Sequence, residues 1–345
     1  MSEAVAPAPR EQGWKQVLLA LAAFLLLPMM PVLRAIVPIE QTSLLLVPAL
    51  AACTLVGWLA GGRGALAIIW TALSLWVLTQ SPEGAGATYH DLARGWGLFS
   101  AAAFGLVCIF GTGRAFLSRG LAAVALAITL GLVLVGTGVV DPMSTARALA
   151  EQYGARNAQT VDAWQQMVSQ YALEWERLVS SVPAAGALSV DLDGALGRMS
   201  SLALLVFPAL VALESLAALA LAWALYHRLS RARIGAPLAP LREFRFNDQL
   251  VWGLIVGFAV VFLPTLAGLR GAGLNLLVFF GALYALRGLG IIAFFATPLG
   301  SLATTLAFIF AMLVWPIFAV LAALALGLGL GDTWLDWRRR TRPTT

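Results

Sequence analysis

Apolar runs long enough to cross a bilayer recur from residue 17 to residue 330 of this 345-residue chain, and they limit the fold more than any other feature. A hydrocarbon core about 30 Å thick needs roughly twenty consecutive apolar residues per helical crossing. Composition agrees: 60% of the residues are hydrophobic and 11% are charged, against about a quarter charged in a soluble domain. Mean hydropathy is +0.87. The expected fold is therefore all-α, a polytopic transmembrane helical bundle forming a single integral membrane domain over residues 1–345.

Periodicity and breakers divide the chain into about eight spans, at 15–34, 42–60, 65–80, 95–112, 120–140, 200–228, 249–269 and 274–297. The second and third are joined by the glycine-rich turn GGRG at 61–64. A last apolar stretch, 301–330, is too long for one ordinary crossing, and Trp315-Pro316 divides it. Proline removes a backbone donor and disfavours helix at the residue before it. A broken helical hairpin therefore reads better there than one kinked span.

The net charge of +5 comes from arginines placed in short loops and the tail. That placement suits helix orientation, not nucleic-acid binding. The loop 229–247 carries Arg231, Arg233, Arg242 and Arg245, while Arg63, Arg114 and Arg119 lie in earlier turns. Cytoplasmic positions for all of these, and for the tail 331–345 with WLDWRRRTRP, agree with eight alternating spans and a cytoplasmic N-terminus. Arg10 and Lys15 precede the first apolar run, and no small-residue cleavage site follows it. The expected location is a membrane crossed several times, with the N-terminus in the cytoplasm. Cys53 and Cys108 both sit inside apolar runs and read as small buried hydrophobes.

The sizeable polar segment 141–199 carries seven acidic and four basic residues and fits an extracytoplasmic helical insertion. Ser144-Thr145 reads as a helix cap. Trp164, Val168, Tyr171, Trp175 and Leu178 recur at steps of four and three, one face of an amphipathic helix. That face suits the lipid interface or the mouth of the bundle. A cover over span ends and a ligand-gating lid are the two readings.

Glu214 is the residue that demands explanation. It stands fourteen residues after the start of the sixth span and fourteen before its end, which predicts a position near the bilayer midplane. A lone charge at that depth costs a few kcal/mol or more. Arg287 lies at similar depth in the eighth span, so a Glu214–Arg287 pair would offset both costs. Intramembrane ionisable groups are functional candidates, and Asn275 opens the same eighth span. Glu214, Arg287 and Asn275 are thus the candidate ligand-binding residues. The competing reading is that the pair only sets helix register.

Other features are weaker. Gly253/Gly257 and Gly57/Gly61 form GxxxG patterns, which point to close helix packing. GLGLG at 327–331 lacks the Lys-Ser/Thr of a phosphate loop. Tyr89, His90, Asp91 and Arg94 fall in the stretch 80–96, expected to be a solvated outer loop with too few ligands for a metal. His227, beside arginines, reads as an interfacial anchor, and Asp332 in the tail as part of an anchor to anionic lipid. No Ser-His-Asp, HExxH, CxxC or Walker pattern is present, so no catalytic residue, metal or cofactor is predicted.

Three C-terminal stretches resemble the YybS-like family of bacterial membrane proteins of unknown function. They are PALVALESLAALALAWALYHRLSR with its basic loop ending in FRFNDQLVWG, then LYALRGLGIIAFF, and the ending GLGLGDTWLDWRRR. GTGRAFLSRGLAAVALAITL at 111–130 is similar as well. Arg287 stands where the family pattern commonly has glutamine. The resemblance implies a fold similar to the substrate-capturing subunits of energy-coupling-factor transporters, an analogy of fold alone.

Three functions are compatible with this reading. The first is a solute-binding or transport component, with lipid, a small polar solute and a separate coupling or ATPase subunit as partners and no nucleic acid. The second is a structural or assembly membrane protein. The third is an intramembrane enzyme on a lipid-linked substrate.

Overall fold

Apolar, helix-forming residues punctuated by proline and glycine set the element boundaries. The computed structural model describes residues 13–29, 34, 36–80, 87–111, 115–170, 176, 180, 192–230, 233–296, 315–335 and 337. The α-helices are α1 (Trp14–Leu26), α2 (Ser43–Leu59), α3 (Gly64–Thr79), α4 (Ala87–Phe110), α5 (Phe116–Gly136), α6 (Pro142–Gln170), α7 (Leu192–Leu205), α8 (Phe207–Leu229), α9 (Val251–Phe262), α10 (Arg270–Phe295) and α11 (Trp315–Leu335). Among the described residues there is no strand.

Among the described residues, four helices are long and apolar enough to cross a membrane: Thr88–Phe110, Phe116–Gly136, Phe207–Leu229 and Pro264–Phe295. Trp14–Leu26, Ser43–Leu59, Gly64–Thr79, Asp248–Phe262 and Val320–Leu335 are apolar but shorter. At about 1.5 Å per residue, the 17 residues of α2 reach only about 25 Å.

The chain divides into two compact units, one formed by Trp14–Ala236 and the other by the chain from Pro237 onward. In the first, α2 packs on α3, α4 and α8, α5 packs on α4 and α8, and α6 packs on α4 and α7. The α2–α4 crossing is close because Gly97 lies against the backbone of Leu44, where a Cβ would collide with the carbonyl oxygen. Ile39, Leu44, Leu45, Ala93 and Ala218 form a buried cluster there, joined by Phe24, Val77, Leu78 and Trp96.

In the second unit, α10 packs on both α9 and α11. Glycine again permits the contact. A Cβ on Gly288 would run into the carbonyl of Ala325, and one on Gly329 into that of Tyr284. Within GLGLG, Gly329 is thus a packing residue, whereas Gly327 has nothing within 4 Å of an added carbon. Gly253 and Gly257 sit against α10, where added carbons would meet Phe280 and Gly273. Gly57 packs against Tyr226, whereas Gly61, at φ 90°, serves the turn between α2 and α3.

Near the C-terminal end of α8, three buried side chains grip three successive carbonyls. Arg119 Nη1 donates to Ile234 O at 2.8 Å, and Trp223 Nε1 donates to Ala236 O at 3.0 Å. His227 Nε2 lies 3.0 Å from Gly235 O. A Cβ on Gly235, at φ +100°, would meet the Arg119 guanidinium at 2.9 Å, and that guanidinium lies over the Trp223 ring, 5.1 Å from its centroid. His227 is therefore a buried clamp of the following loop and not an interfacial anchor.

Several other expectations are corrected. The span expected at 200–228 is two helices, α7 and α8, broken at Val206 before Pro208. The stretch 80–96 is helical from Ala87, and Tyr89 and His90 are buried, with His90 Nε2 lying 3.1 Å from Gln80 O. The cap of α6 is Asp141, whose carboxylate accepts from the backbone N–H groups of Met143 and Ser144 at 3.1 and 2.9 Å. Ser144 and Thr145 instead return their hydroxyls to Asp141 O. Helix α11 begins at Trp315, and the first half of the expected hairpin, 301–314, lies outside the described residues. So do Tyr171, Trp175 and Leu178 of the aromatic face, and Asp336 in the tail.

Candidate functional site

Between α1 and α2 the chain from Ile36 to Gln41 is not helical, yet much of it is buried. Buried irregular backbone persists only when its polar groups find hydrogen-bond partners. Here side chains from three helices satisfy them. Arg156, on α6, donates through Nη1 to Val37 O at 2.8 Å and through Nη2 to Pro38 O at 3.4 Å. Tyr89, on α4, donates its hydroxyl to Pro38 O. Glu214, on α8, accepts the N–H of Ile39 on Oε2 at 3.0 Å.

Arg156 organises this cluster. Its side chain is 1% exposed, and its Nε lies 2.7 Å from Glu40 Oε1. Nη2 also donates to the Tyr89 hydroxyl at 2.6 Å. The guanidinium lies over the rings of Tyr89 and Tyr153, 5.0 and 4.9 Å from their centroids. Glu40 is shared with Arg34, whose Nε and Nη2 donate to the two carboxylate oxygens at 2.5 and 3.0 Å. Burial pushes the Tyr153 phenol above its ordinary range, so it keeps its proton and faces Val37 O as a donor.

Helix α6 docks through one face. Tyr153, Arg156, Asn157 and Thr160 are spaced as one face of a helix, and Ser200 on α7 donates to Asn157 Oδ1 at 2.8 Å. Counting back from Trp164 by four, three and four gives Thr160, Asn157 and Tyr153. The docked face therefore continues the aromatic periodicity expected from the sequence, one stretch earlier in the chain.

Glu214 is not at a helix midpoint. It lies seven residues after Phe207 and fifteen before Leu229, about 10 Å in from the start of α8. Its Oε1 is buried and has no hydrogen-bond partner. Ser215, the next residue, accepts from Trp96 Nε1 at 2.8 Å and donates to Val211 O at 2.7 Å, which ties α8 to α4.

Arg287 belongs to a different network. Its Nε donates to Asp332 Oδ2 at 2.9 Å, its Nη2 to Asp332 O at 3.2 Å and its Nη1 to Asp248 Oδ1 at 2.6 Å. The Phe246 ring covers the guanidinium at 5.3 Å and packs edge-on to Tyr284. Asn275 donates to Gly271 O at 2.8 Å within its own helix. It lies twelve residues from Arg287, about 18 Å along α10.

Glu214 and Arg287 thus each take part in a network of their own. Each charge takes partners from its own compact unit: the Ile39 N–H and the nearby charge of Arg156 for Glu214, and two aspartates for Arg287. The reason is proximity of acids and bases that the sequence assigned to loops and tail. Glu40, Arg156, Tyr89, Asp248 and Asp332 were not among the predicted site residues. Of these, Arg156 was the most discoverable, because it lies within the face that extends back from Trp164.

Long apolar helices, buried ion pairs and broken backbone stabilised by side chains together define a helical membrane protein. Residues 115–332 match the sequence model of a family described as a predicted membrane protein (DUF2232), and the chain belongs to that family. No curated protein and no solved structure matches the chain.

Proposed function

We infer that this protein is a solute-binding or transport component of a bacterial inner membrane, with its polar site at the N-terminal end of α8 around Glu214. The observation that carries this reading is the Oε1 atom of Glu214, a buried carboxylate oxygen without a hydrogen-bond partner. A buried polar oxygen left without a hydrogen bond costs about 1–3 kcal/mol, so its retention calls for a use. Its setting supports the reading, because non-helical backbone meeting charged side chains inside a helical bundle is how membrane transporters build solute sites. Arg287 and Asn275 are assigned structural roles. The likeness to YybS-like proteins, and through them to the capture subunits of energy-coupling-factor transporters, belongs to this proposal. So do about eight crossings with the N-terminus in the cytoplasm. No nucleotide-binding motif is present in the sequence, so active transport would draw on a separate ATPase subunit or an ion gradient.

The second reading, a structural or assembly protein, is favoured by the Arg287–Asp332–Asp248 network, which needs no ligand to complete it. An intramembrane enzyme ranks third, since no acid and base converge on a nucleophile among the described residues. Native mass spectrometry of purified protein distinguishes the first two. A small polar molecule carried by wild type and lost in Glu214→Gln, at equal membrane abundance, is the expected result. Identical spectra carrying lipid alone would overturn the solute-binding reading.

A further inference from the structure

Around Glu214 most hydrogen-bond donors are engaged, by hydrogen bond or ion pair, and one acceptor is open. Arg156 directs its guanidinium to Glu40, Val37 O, Pro38 O and Tyr89; Tyr89 donates to Pro38 O; Arg34 donates through Nε and Nη2 to Glu40. The Ile39 N–H goes to Glu214 Oε2, and Trp96 and Ser215 satisfy each other and Val211 O. Among the described polar atoms of this cluster, Arg156 Nε and Glu214 Oε1 lack a hydrogen bond; Arg156 Nε is held in the ion pair with Glu40 at 2.7 Å, whereas Glu214 Oε1 has neither contact.

Charge is distributed unevenly in the same way. Both guanidiniums of the cluster, Arg34 and Arg156, contact the single carboxylate of Glu40. Among the described residues Glu214 makes no ion pair, and the hydrogen bond it accepts comes from the Ile39 N–H. An anion entering here would offer Oε1 neither a donor nor a positive charge. A group carrying both N–H donors and positive charge completes the hydrogen bond and the ion pair together, the strongest form of either.

We propose that Glu214 Oε1 is the recognition point for a protonated amine, so that the solute of this site is a small organic cation and not an anion. The proposal rests on the solute-binding reading and narrows it. Tyr89 and Tyr153, whose rings flank the neighbouring guanidinium, show that this part of the bundle already accommodates cations against aromatic faces.

The test uses the full chain in nanodiscs of zwitterionic lipid, with thermal unfolding followed at matched ionic strength in sodium chloride. Methylammonium chloride should raise the unfolding midpoint of wild type in a saturable manner, as any ligand binding only the folded state must. Ethylene glycol and sodium acetate should not, and Glu214→Gln should abolish the methylammonium effect. If that variant does not accumulate, Glu214→Asp serves, with saturation expected at several-fold higher methylammonium. Stabilisation by acetate, an equal effect of ethylene glycol, or an effect surviving in Glu214→Gln overturns the proposal. No methylammonium effect, in a protein that still co-purifies with a solute lost in Glu214→Gln, overturns the amine assignment and leaves solute binding standing. Loss of both removes both.

Discussion

Asp332→Ala should be among the most damaging single substitutions in the second unit, and the reason is how unevenly water reaches Arg287. The Arg287 side chain is 4% exposed and that of Asp332 is 0% exposed, whereas Asp248 is 57% exposed. Removing Asp332 strands a buried guanidinium on its dry side, which costs about 3–5 kcal/mol. Removing Asp248 costs about 1 kcal/mol or less, because water replaces it. Arg287→Met strands the buried Asp332 carboxylate and should cost about as much as Asp332→Ala. Arg287→Met combined with Asp332→Ala removes both charges, so its loss should fall well short of the sum, with a coupling of about 2–3 kcal/mol. Reversible unfolding of the purified protein in mixed micelles, followed by circular dichroism across a denaturing-detergent series, measures all four species. A control pair, Glu214→Gln with Arg287→Met, should be additive within about 0.5 kcal/mol, since the two residues share no hydrogen-bond partner. The reasoning fails if Asp332→Ala is no worse than Asp248→Ala, or if the double loss equals the sum.

Gly288→Ala should destabilise by about 1–3 kcal/mol, because the new carbon meets the backbone of Ala325 and α11 must shift. Gly281→Ala, with nothing within 4 Å of the new carbon, should be neutral or should stabilise by about 0.5–1 kcal/mol, and thermal melts of the two variants make the comparison. Hydrogen bonds from Ser144 and Met143 hold the Asp141 carboxyl below its ordinary value. Its support of the first turn of α6 is therefore present above the usual carboxylate range and lost as pH falls through the depressed value. Protection of the Met143 and Ser144 amides, corrected for intrinsic exchange at each pH, should fall on acidification in wild type and be low at neutral pH in Asp141→Ala. Arg156→Met should loosen α6, seen as faster amide exchange at Asn157 and Thr160, while leaving exchange in α10 unchanged.

Buried charge was legible in the sequence, and its partners were not. Glu214 and Arg287 stand out because each interrupts an apolar run. Glu40 precedes a span, Asp248 follows a basic loop, Asp332 sits in a polar tail, and each looks like a solvated residue until the fold brings it against a cation. Depth was misjudged for a local reason. The run 200–228 reads as one helix by hydropathy, but Pro208 at the start of α8 is the residue expected in a first helical turn. Taken as a boundary, it moves Glu214 from the middle of a span to its second turn. Asp141-Pro142 is a similar case, an acidic cap followed by proline at the first helical position, and it outranks the Ser-Thr pair two residues on. The polar residues of 80–96 concealed the start of α4, because Tyr89 and His90 are buried by their hydrogen bonds to carbonyls and not by apolar character.

The grip of Arg119, Trp223 and His227 on residues 234–236 is made wholly to main-chain oxygens. Selection on that linker therefore falls on its geometry and spares its spelling. Ile234 and Ala236 offer the same oxygens whatever side chains they bear, and only Gly235, at φ +100°, is held to its identity. One inserted residue would put all three grips out of step at once. The segment should thus drift freely in sequence between related proteins and hardly at all in length.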